Sequence, residues 1–344
     1  IHLWANSLRA ELADQGLRVS VIFPGFVKTN VSVAALTGGG TALGSMDEAQ
    51  ANAMTADAFA KQAVEALQAG RDYIVIGGGS AGCVLAGRLS EDPNISVCLL
   101  EAGGDGNGWT VNVPCAAVIS IPTKLNNWAF ETVPQKGLNG RKGYQPRGKG
   151  LGGSSAINAM VYIRGNAQDY DHWAALGNEG WSYQDVLPYF IKSENNDRIQ
   201  NQYHGNAGPL SVSDLRSDNP LQARYLAAAR ELNYPILDDF NGAEQEGLGV
   251  YQVTHINGER CSAARAYLFP HLERPNLTVE IHAQTHRILI ENDVAIGVEY
   301  KKDGQLKQIR ARREVLLSAG AMQSPQILML SGVGDQNELT QHGI

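Results

Sequence analysis

The chain has 344 residues, 43% of them hydrophobic, which is enough for about two domains with buried cores and excludes a wholly disordered chain. Its formal net charge of −7 argues against a nucleic-acid-binding protein, because such proteins rely on cations to neutralise phosphates. No apolar run reaches the roughly 18 residues of a transmembrane helix, so no transmembrane segment is predicted.

The cysteines indicate the cellular compartment of the protein, and the first residues indicate whether the sequence is complete. The four cysteines show neither a CxxC pair nor a histidine at ligand spacing, so we expect no metal site and no disulfide framework. A reducing compartment, the cytoplasm, is predicted, with peripheral attachment to a membrane left open. The sequence begins at Ile1 without a methionine or a signal segment, which predicts a fragment with a missing start.

Residues 1–70 predict a piece of an α/β domain. Apolar residues recur at helical spacing over 3–12, residues 17–23 are typical of a strand, and a helix is predicted over 55–69. This segment holds no nucleophile motif, no set of metal ligands and no phosphate-binding loop.

From Asp72 onwards the sequence predicts a strand, a glycine-rich turn and a helix in immediate succession. Residues 73–76 form a short apolar run typical of a buried strand, and the helix is predicted to end near Ser90. A second buried strand is predicted over 95–100, directly before Glu101.

The rest of the chain contains further helix and strand patterns without an internal repeat. Residues 102–165 are rich in glycine, whereas residues 166–270 are polar and aromatic. Further helices are predicted over 182–193, 219–232 and 324–331, and further strands over 277–281, 294–300 and 314–318.

The strongest local motif is Gly77-x-Gly79-x-x-Gly82, between the first predicted strand and its helix. In a dinucleotide-binding unit the first glycine makes a tight turn, the second lets the backbone approach a pyrophosphate, and the third lets helix and strand pack closely. The pyrophosphate lies at the helix start, where N–H groups and the helix dipole favour negative charge. The motif therefore favours dinucleotide binding over a purely structural turn.

Glu101 lies nineteen residues after Gly82, at the end of the second predicted strand. An acidic residue at this point holds the ribose hydroxyls of the adenosine, whereas a 2′-phosphate would require an arginine. These residues therefore leave both FAD and NAD open and disfavour NADP.

Two long motifs downstream favour FAD. Arg147-Gly-Lys-Gly-Leu-Gly-Gly-Ser-Ser-Ala-Ile-Asn158 continues to Gly165, and Gly320-Ala-Met-Gln-Ser-Pro-Gln-Ile-Leu-Met-Leu-Ser-Gly-Val-Gly334 lies near the end of the chain. They resemble the first and second signatures of the glucose–methanol–choline (GMC) flavoprotein oxidoreductases. With the glycine motif, the resemblance covers residues 72–344, and within the family it is strongest to alcohol dehydrogenases and choline dehydrogenases.

The resemblance implies an α/β fold, a Rossmann-like FAD-binding domain with an inserted, partial substrate domain, preceded by an α/β fragment. It implies that residues 71–165 begin the FAD-binding domain, residues 166–270 form the substrate or cap region, and residues 271–344 are a truncated return segment. It also implies contacts with the pyrophosphate, ribose, adenine and flavin ring of FAD. The residues implied in these contacts are Gly77, Gly79, Ser80, Ala81, Gly82, Glu101, Ala102, Trp128, Gly150, Ser154, Asn158, Ala159, Met160, Val161 and Thr285.

The implied reaction is hydride transfer from the CH–OH group of a small-molecule alcohol to FAD, with a base taking the hydroxyl proton. The family's catalytic histidine would lie beyond Ile344, so we expect no catalytic residue within the chain and no activity from it alone. The electron acceptor, a quinone or oxygen, stays open. Two alternatives are a relative that keeps FAD for a non-redox, lyase-like reaction and a folded but inactive fragment.

A second resemblance concerns residues 1–70. Ser7-Leu-Arg-Ala-Glu-Leu and Val19-Ser-Val-Ile-Phe-Pro-Gly-Phe-Val-Lys-Thr29 are similar to the carboxyl-terminal part of the short-chain dehydrogenases/reductases. That family's phosphate-binding loop and its Ser-Tyr-Lys catalytic set would lie upstream and are not in this sequence. An NAD(P)-dependent reductase is therefore the third alternative, and the join near residue 70 is either natural or an assembly artefact.

Overall fold

A computed structural model of the chain describes residues 70–217 and 219–344 and the backbone of two short strands nearer the start. These strands, β1 (Val27–Lys28) and β2 (Met54–Thr55), pair in parallel. The elements predicted within residues 1–70 lie outside the described residues, apart from Thr55, which belongs to β2 and not to the predicted helix.

The chain divides into two compact units, Ile1–Gly70 and Arg71–Ile344. In the second unit the α-helices are α1 (Ser80–Leu89), α2 (Trp109–Asn112), α3 (Ala117–Ser120), α4 (Ala167–Ala175), α5 (Tyr183–Ser193), α6 (Pro220–Glu231), α7 (Ala263–Tyr267), α8 (Gly320–Leu330) and α9 (Gln336–Gln341). Its strands are β3 (Arg71–Ile76), β4 (Val97–Leu100), β5 (Phe130–Glu131), β6 (Tyr144–Gln145), β7 (Glu194–Asn196), β8 (Leu210–Asp214), β9 (Ile236–Leu237), β10 (Leu248–Gly249), β11 (Gln252–Val253), β12 (His255–Ile256), β13 (Glu259–Arg260), β14 (Leu277–Glu280), β15 (Gln284–Glu291), β16 (Val294–Lys302) and β17 (Gln305–Leu317).

The main sheet of the second unit has six strands in the order β14-β4-β3-β17-β16-β15. The first four are parallel, and β16 and β15 extend the sheet as antiparallel neighbours. Because α1 connects β3 to its parallel neighbour β4, this part is a βαβ unit with the predicted glycine turn at its first bend. The predicted Rossmann-like α/β fold is confirmed.

Both faces of the central strands β3 and β4 are buried. Ile74 and Ile76 of β3 pack into the core on one face, and Val75 packs into the core on the other. Each such side chain, when fully buried, contributes about 1.5–3 kcal/mol to folding. Continuous apolar runs are typical of parallel strands that have helices on both faces.

The helical layer on one face brings α7 against α1. A Cβ atom on Gly87 of α1 would lie 2.2 Å from the carbonyl oxygen of Tyr267, so only glycine permits this approach. The boundaries predicted from the sequence assign α7 to the cap region, whereas the helix packs in the same core as β3 and β4. On the other face Ile327 of α8 packs with Ile288 of β15.

The structure departs from the predicted elements near the end of the chain. Strand β15 was not predicted, and β17 extends over thirteen residues where the prediction began at residue 314. Helix α8 begins at Gly320, so Pro325 lies inside it and not in its first turn. The predicted helices over 182–193 and 219–232 correspond to α5 and α6.

The side chains of Arg164, Glu194, His204 and Asp239 form a buried ionic cluster. Arg164 Nη2 donates to Glu194 Oε2 at 2.7 Å, and His204 Nδ1 lies 2.8 Å from the other oxygen of Glu194. His204 Nε2 lies 3.0 Å from Asp239 Oδ2. Since the side chains of Glu194 and His204 are fully buried, each charge depends on the others for its stability.

Within the described ranges, no helix combines the length and the apolar character that crossing a bilayer would need.

Candidate cofactor-binding site

A cleft of about 660 Å³ opens where the parallel strands end. The last residues of β3, β4 and β17, which are Ile76, Leu100 and Leu317, lie on its wall. Open α/β sheets bind their ligands at this edge, and small-molecule sites have volumes of roughly 300–1,000 Å³. The cleft is therefore the candidate site.

The structure brings nine of the fifteen predicted cofactor residues together on this wall. The nine are Gly77, Gly79, Ser80, Ala81, Glu101, Ala102, Trp128, Ser154 and Thr285. The six that do not line the cleft are Gly82, Gly150, Asn158, Ala159, Met160 and Val161.

The three glycines of the turn differ in what requires them. Gly77 has a φ of +94°, and a Cβ there would lie 2.7 Å from the Ser318 carbonyl oxygen. A Cβ on Gly82 would lie 1.9 Å from the Gly77 carbonyl oxygen, so packing within the protein already requires these two glycines. At Gly79 the nearest atom to a Cβ would be 4.0 Å away, and φ is −78°. Because nothing in the described protein excludes a side chain at Gly79, the open space before it indicates a ligand.

Two helices begin at the cleft without a capping hydrogen bond from a side chain. Helix α1 has Gly79 as its N-cap residue and α8 has Ala319, and neither start has a side-chain cap or an acidic residue in its first turn. Both first turns line the cleft. Free N–H groups and two helix dipoles therefore favour an anionic group there.

Glu101 is the only anionic residue on the cleft wall, in the part of the chain that the structure describes, and it is 6% exposed. Its carboxylate accepts hydrogen bonds from the N–H groups of Gly78 (2.8 Å), Gly103 (2.7 Å) and Gly150 (3.0 Å). Burial raises the pKa of Glu101, although these three hydrogen bonds oppose the shift. A carboxylate offers about four acceptor positions, so one is left for a ligand hydroxyl.

The loop after Arg147 packs directly on the glycine turn. Gly152 N–H donates to the Gly78 carbonyl oxygen at 2.7 Å, and a Cβ on Gly153 would lie 2.7 Å from the Cα atom of Gly79. Gly150 itself lies behind the wall, where its N–H binds Glu101. The two glycine-rich segments thus form one continuous surface of backbone on this side of the cleft.

The cleft wall also carries an aromatic and a cationic side chain. The Trp128 ring stacks on Phe130 with ring centres 5.8 Å apart, and Lys149 Nζ lies 4.3 Å from the centre of the Trp128 ring. Arg147 is the only cationic residue of the wall within the described ranges. It was not among the predicted cofactor residues, although its position at the start of the first signature was a usable signal.

Thr285 lies on the wall within β15, where it pairs with Tyr300 of β16. Its hydroxyl oxygen is buried and has no hydrogen-bond partner among the described residues. A buried hydroxyl without a hydrogen-bond partner destabilises the folded state by about 1–3 kcal/mol. A ligand in the cleft that reached this atom would remove that cost.

Asn158, Ala159, Met160 and Val161 form a turn outside the wall. Asn158 Oδ1 accepts from the Met160 N–H at 3.1 Å, and Met160 is buried with a φ of 62°. Ala159 and Val161 are exposed. The family resemblance implied that all four line a flavin ring, and none of them is on the described cleft wall.

No histidine lies on the cleft wall among the described residues. His204 is buried in the ionic cluster, and His255 Nε2 lies 3.1 Å from Met160 Sδ. Within the same ranges, no group of three His, Cys, Asp or Glu residues is placed to hold a metal ion. The side chains of the described cleft wall therefore include one acid, Glu101, and no imidazole.

The chain belongs to the GMC oxidoreductase family, whose family model matches residues 71–343. The choline dehydrogenase of Mus musculus mitochondria is 48% identical over 274 residues, 78% of this chain and 46% of the mouse protein. The alcohol dehydrogenase (acceptor) of Pseudomonas putida is 48% identical over 276 residues, 79% of this chain and 50% of that protein. The chain thus spans about half the length of the curated relatives it matches.

The solved structure of an FAD-dependent oxidoreductase has the same fold as the second unit. The FAD-dependent oxidoreductase from Chaetomium thermophilum superimposes with a TM-score of 0.74 and 33% sequence identity, over 80% of this chain and 49% of that one. The similarity to GMC oxidoreductases stated from the sequence is confirmed.

Proposed function

We propose that this chain binds FAD in the cleft and that the protein it belongs to oxidises the CH–OH group of a small-molecule alcohol. The observation that carries the proposal is the open space before Gly79, at the uncapped start of α1. Sequence identity of 48% to a choline dehydrogenase and to an alcohol dehydrogenase supports the substrate class.

Each part of FAD has matching residues in this proposal. Gly79, Ser80 and Ala81 bind the pyrophosphate through N–H groups, with Gly77 and Gly82 shaping the turn. Glu101 and Ala102 hold the adenosine ribose, and Thr285 meets the adenine.

The flavin ring would be held by a further set of residues. Trp128 and Ser154 contribute side chains to this set, and Gly150 supports the loop through its hydrogen bond to Glu101. The turn at 158–161 completes the ring site from outside the wall.

Bound FAD would supply the acceptor for the hydrogen and two electrons of the alcohol's carbinol carbon. The residues of the chain bind and orient that cofactor. Because Glu101 is committed to three backbone N–H groups, it does not serve as the base for the alcohol proton. We therefore assign no catalytic residue within residues 71–344.

We also propose that the FAD-binding domain consists of residues 71–165 and 271–344, with residues 166–270 as a cap. Strands of the first two segments form the whole main sheet, whereas the strands β7 to β13 belong to separate small sheets. Contacts also cross this division: Val253 of β11 forms a single bridge with Val161, and helix α7 packs on α1.

We place the protein in a reducing compartment such as the cytoplasm. All four cysteines are free thiols, and Cys83, Cys98 and Cys261 are buried in the core. Such thiols persist where disulfides are kept reduced.

The test of FAD binding is calorimetric titration of the purified chain with FAD and with NAD. We expect FAD to bind more tightly and to develop a flavin visible spectrum distinct from that of the free cofactor. Tighter binding of NAD, or no saturable binding of FAD, would contradict the proposal.

A further inference from the structure

Arg260 is a buried cation without a carboxylate partner among the described residues. The residue is 2% exposed and lies at the end of β13. Burial lowers the pKa of its guanidinium to about 10, so the group remains charged at neutral pH. A buried charge is costly unless other groups stabilise it. What stabilises Arg260 is a set of oxygen atoms from two other segments of the chain.

The guanidinium joins these segments through directional hydrogen bonds. Arg260 Nε donates to the Val111 carbonyl oxygen at 3.0 Å, in helix α2. Its Nη1 donates to the carbonyl oxygen of Ser155 at 3.2 Å and to that of Asn158 at 2.7 Å. The same nitrogen also donates to Asn158 Oδ1 at 2.8 Å. An ammonium group could not reproduce this planar arrangement.

Asn158 connects Arg260 to the backbone of Met160. Asn158 Oδ1 also accepts the Met160 N–H at 3.1 Å, and Met160 adopts a φ of 62°. Such a left-handed conformation costs a non-glycine residue about 1–2 kcal/mol, so surrounding contacts must hold it. The Met160 carbonyl oxygen accepts the Thr254 N–H at 2.9 Å. Arg260 thus fixes the side chain that fixes Met160.

We propose that Arg260 is a positioning residue for the flavin ring: it holds Asn158 and Met160 in place beside the ring, and its unpaired charge favours the reduced, anionic ring over the oxidised one. This inference rests on the proposed function, which places FAD in the cleft. Arg260 donates to the carbonyl oxygen of Ser155, the residue next to Ser154 on the cleft wall. In a poorly solvated environment a fixed charge acts over a longer distance than in water, so a buried cation at this place raises the reduction potential of FAD in the cleft.

Two substitutions separate the geometry from the charge. Arg260→Gln removes both, whereas Arg260→Lys keeps the charge and loses the planar set of donors. Arg274→Gln is the matched control: Arg274 Nη1 donates to the Gly87 carbonyl oxygen and to Ser90 Oγ, at the end of α1 away from the cleft. Like Arg260, Arg274 has no carboxylate within 4.0 Å among the described residues.

The first measurement uses the chain without FAD and needs no cofactor binding. Hydrogen–deuterium exchange of peptides covering residues 153–162 should be faster by about tenfold or more in both Arg260 variants, equal to a loss of about 1.4 kcal/mol in local stability. The Arg274→Gln chain should exchange there at the native rate. Native exchange in both Arg260 variants would overturn the positioning role, whether or not the chain binds FAD.

The second measurement is the reduction potential of bound FAD. Arg260→Gln should weaken the reduced cofactor about tenfold more than the oxidised one, which lowers the two-electron potential by about 30 mV. Arg260→Lys and Arg274→Gln should keep the native potential. A potential unchanged in Arg260→Gln, or lowered equally in Arg260→Lys, would overturn the electrostatic part of the proposal. If the native chain itself takes up no FAD, the proposed function fails, and the exchange measurement alone decides the role of Arg260.

Should Arg260→Gln not fold, Arg260→Lys still gives a result. Its exchange in 153–162 and its FAD affinity are compared with those of the native chain, and native values of both would overturn the proposal.

Discussion

The carboxylate of Glu101 accepts the backbone N–H of Gly150, which lies 49 residues further along the chain, at 3.0 Å. This hydrogen bond joins the end of β4 to the loop of the first signature. Since the same carboxylate also binds Gly78 and Gly103, Glu101 organises both glycine-rich segments before any ligand arrives.

Glu101→Gln should therefore destabilise the protein itself as well as weaken FAD binding. Whichever way the amide is oriented, its NH₂ group faces a backbone N–H that has lost its acceptor. We expect a loss of about 1–3 kcal/mol in the free energy of unfolding, the cost of an unsatisfied buried group. Urea denaturation of the chain without FAD measures it. Glu91→Gln, at an exposed ion pair with Arg88, is the control, and an equally small effect at both positions would refute the organising role.

Gly79→Val should remove FAD binding and leave the fold intact. The added side chain has space in the protein and would project into the cleft, where it holds the backbone away from the pyrophosphate. We expect FAD affinity to fall at least about tenfold, or 1.4 kcal/mol, with an unchanged melting temperature without FAD. Gly87→Ala gives the opposite pattern, because its Cβ would meet the Tyr267 carbonyl oxygen, so it should lower the melting temperature. A melting temperature lowered by Gly79→Val would mean that packing, and not a ligand, requires this glycine.

A chain that begins at Arg71 should bind FAD as tightly as the full chain. Every cleft-wall residue that the structure describes lies within the unit Arg71–Ile344. Titration of both chains under the same conditions is the measurement. Affinity about tenfold weaker in the shorter chain would show that residues 1–70 contribute to the site.

The stability of the chain should fall as the pH rises above the ordinary range of histidine. Burial alone would lower the pKa of His204, but its hydrogen bonds to Glu194 and Asp239 raise the pKa above 6.5. The folded state then holds this proton more tightly than the unfolded state. The contribution is therefore complete below the unfolded pKa and is lost as the pH rises through the folded one.

Denaturant unfolding at several pH values measures this dependence. His204→Gln should flatten the curve above about pH 6.5, whereas His172→Gln, at an exposed position of α4, should not change it. A curve of native shape in His204→Gln would assign the pH dependence to other groups.

When FAD is bound to this chain, a primary alcohol should reduce the flavin more slowly than it does in an intact family member. The described cleft wall has no histidine, and Glu101 is occupied, so the hydroxyl proton has no acceptor. A general base contributes about 10²–10⁴-fold to such rates. Anaerobic bleaching of the flavin by alcohol measures the reaction, with dithionite as the control that the bound flavin is reducible. Bleaching by alcohol at the rate of the Pseudomonas putida relative would place a base within these residues.

The sequence predicted the elements in which local chemistry and tertiary structure agree. The strand, turn and helix around Gly77 followed from an apolar run and from glycines that packing requires. Strand β15 was missed because its first half, Gln284-Thr-His-Arg, is polar and lies at the edge of the sheet, so only the short apolar run at 288–290 marked it. The first half of β17 was missed for the same reason, since it pairs only with β16.

The glycine turns of the candidate site were predicted from the sequence, whereas its long-range contacts were not. Nothing near Arg260 in the sequence indicates burial, because its partners at Val111 and Asn158 are more than a hundred residues away. For the same reason the three N–H donors of Glu101 could not be foreseen, and only its place after a strand was visible.

The position of β3 also has a consequence during synthesis on the ribosome. This strand lies between β4 and β17, yet Ile74 pairs with Val315, about 240 residues later. At roughly 5–20 residues per second, translation leaves one edge of β3 without its neighbour for roughly 12–50 s. That edge carries Ile74, Val75 and Ile76, and an unpaired apolar strand readily pairs with another chain. The nascent protein is therefore most prone to aggregate before residue 317 emerges, and chaperones that bind extended apolar segments should raise its yield more than those that act after release.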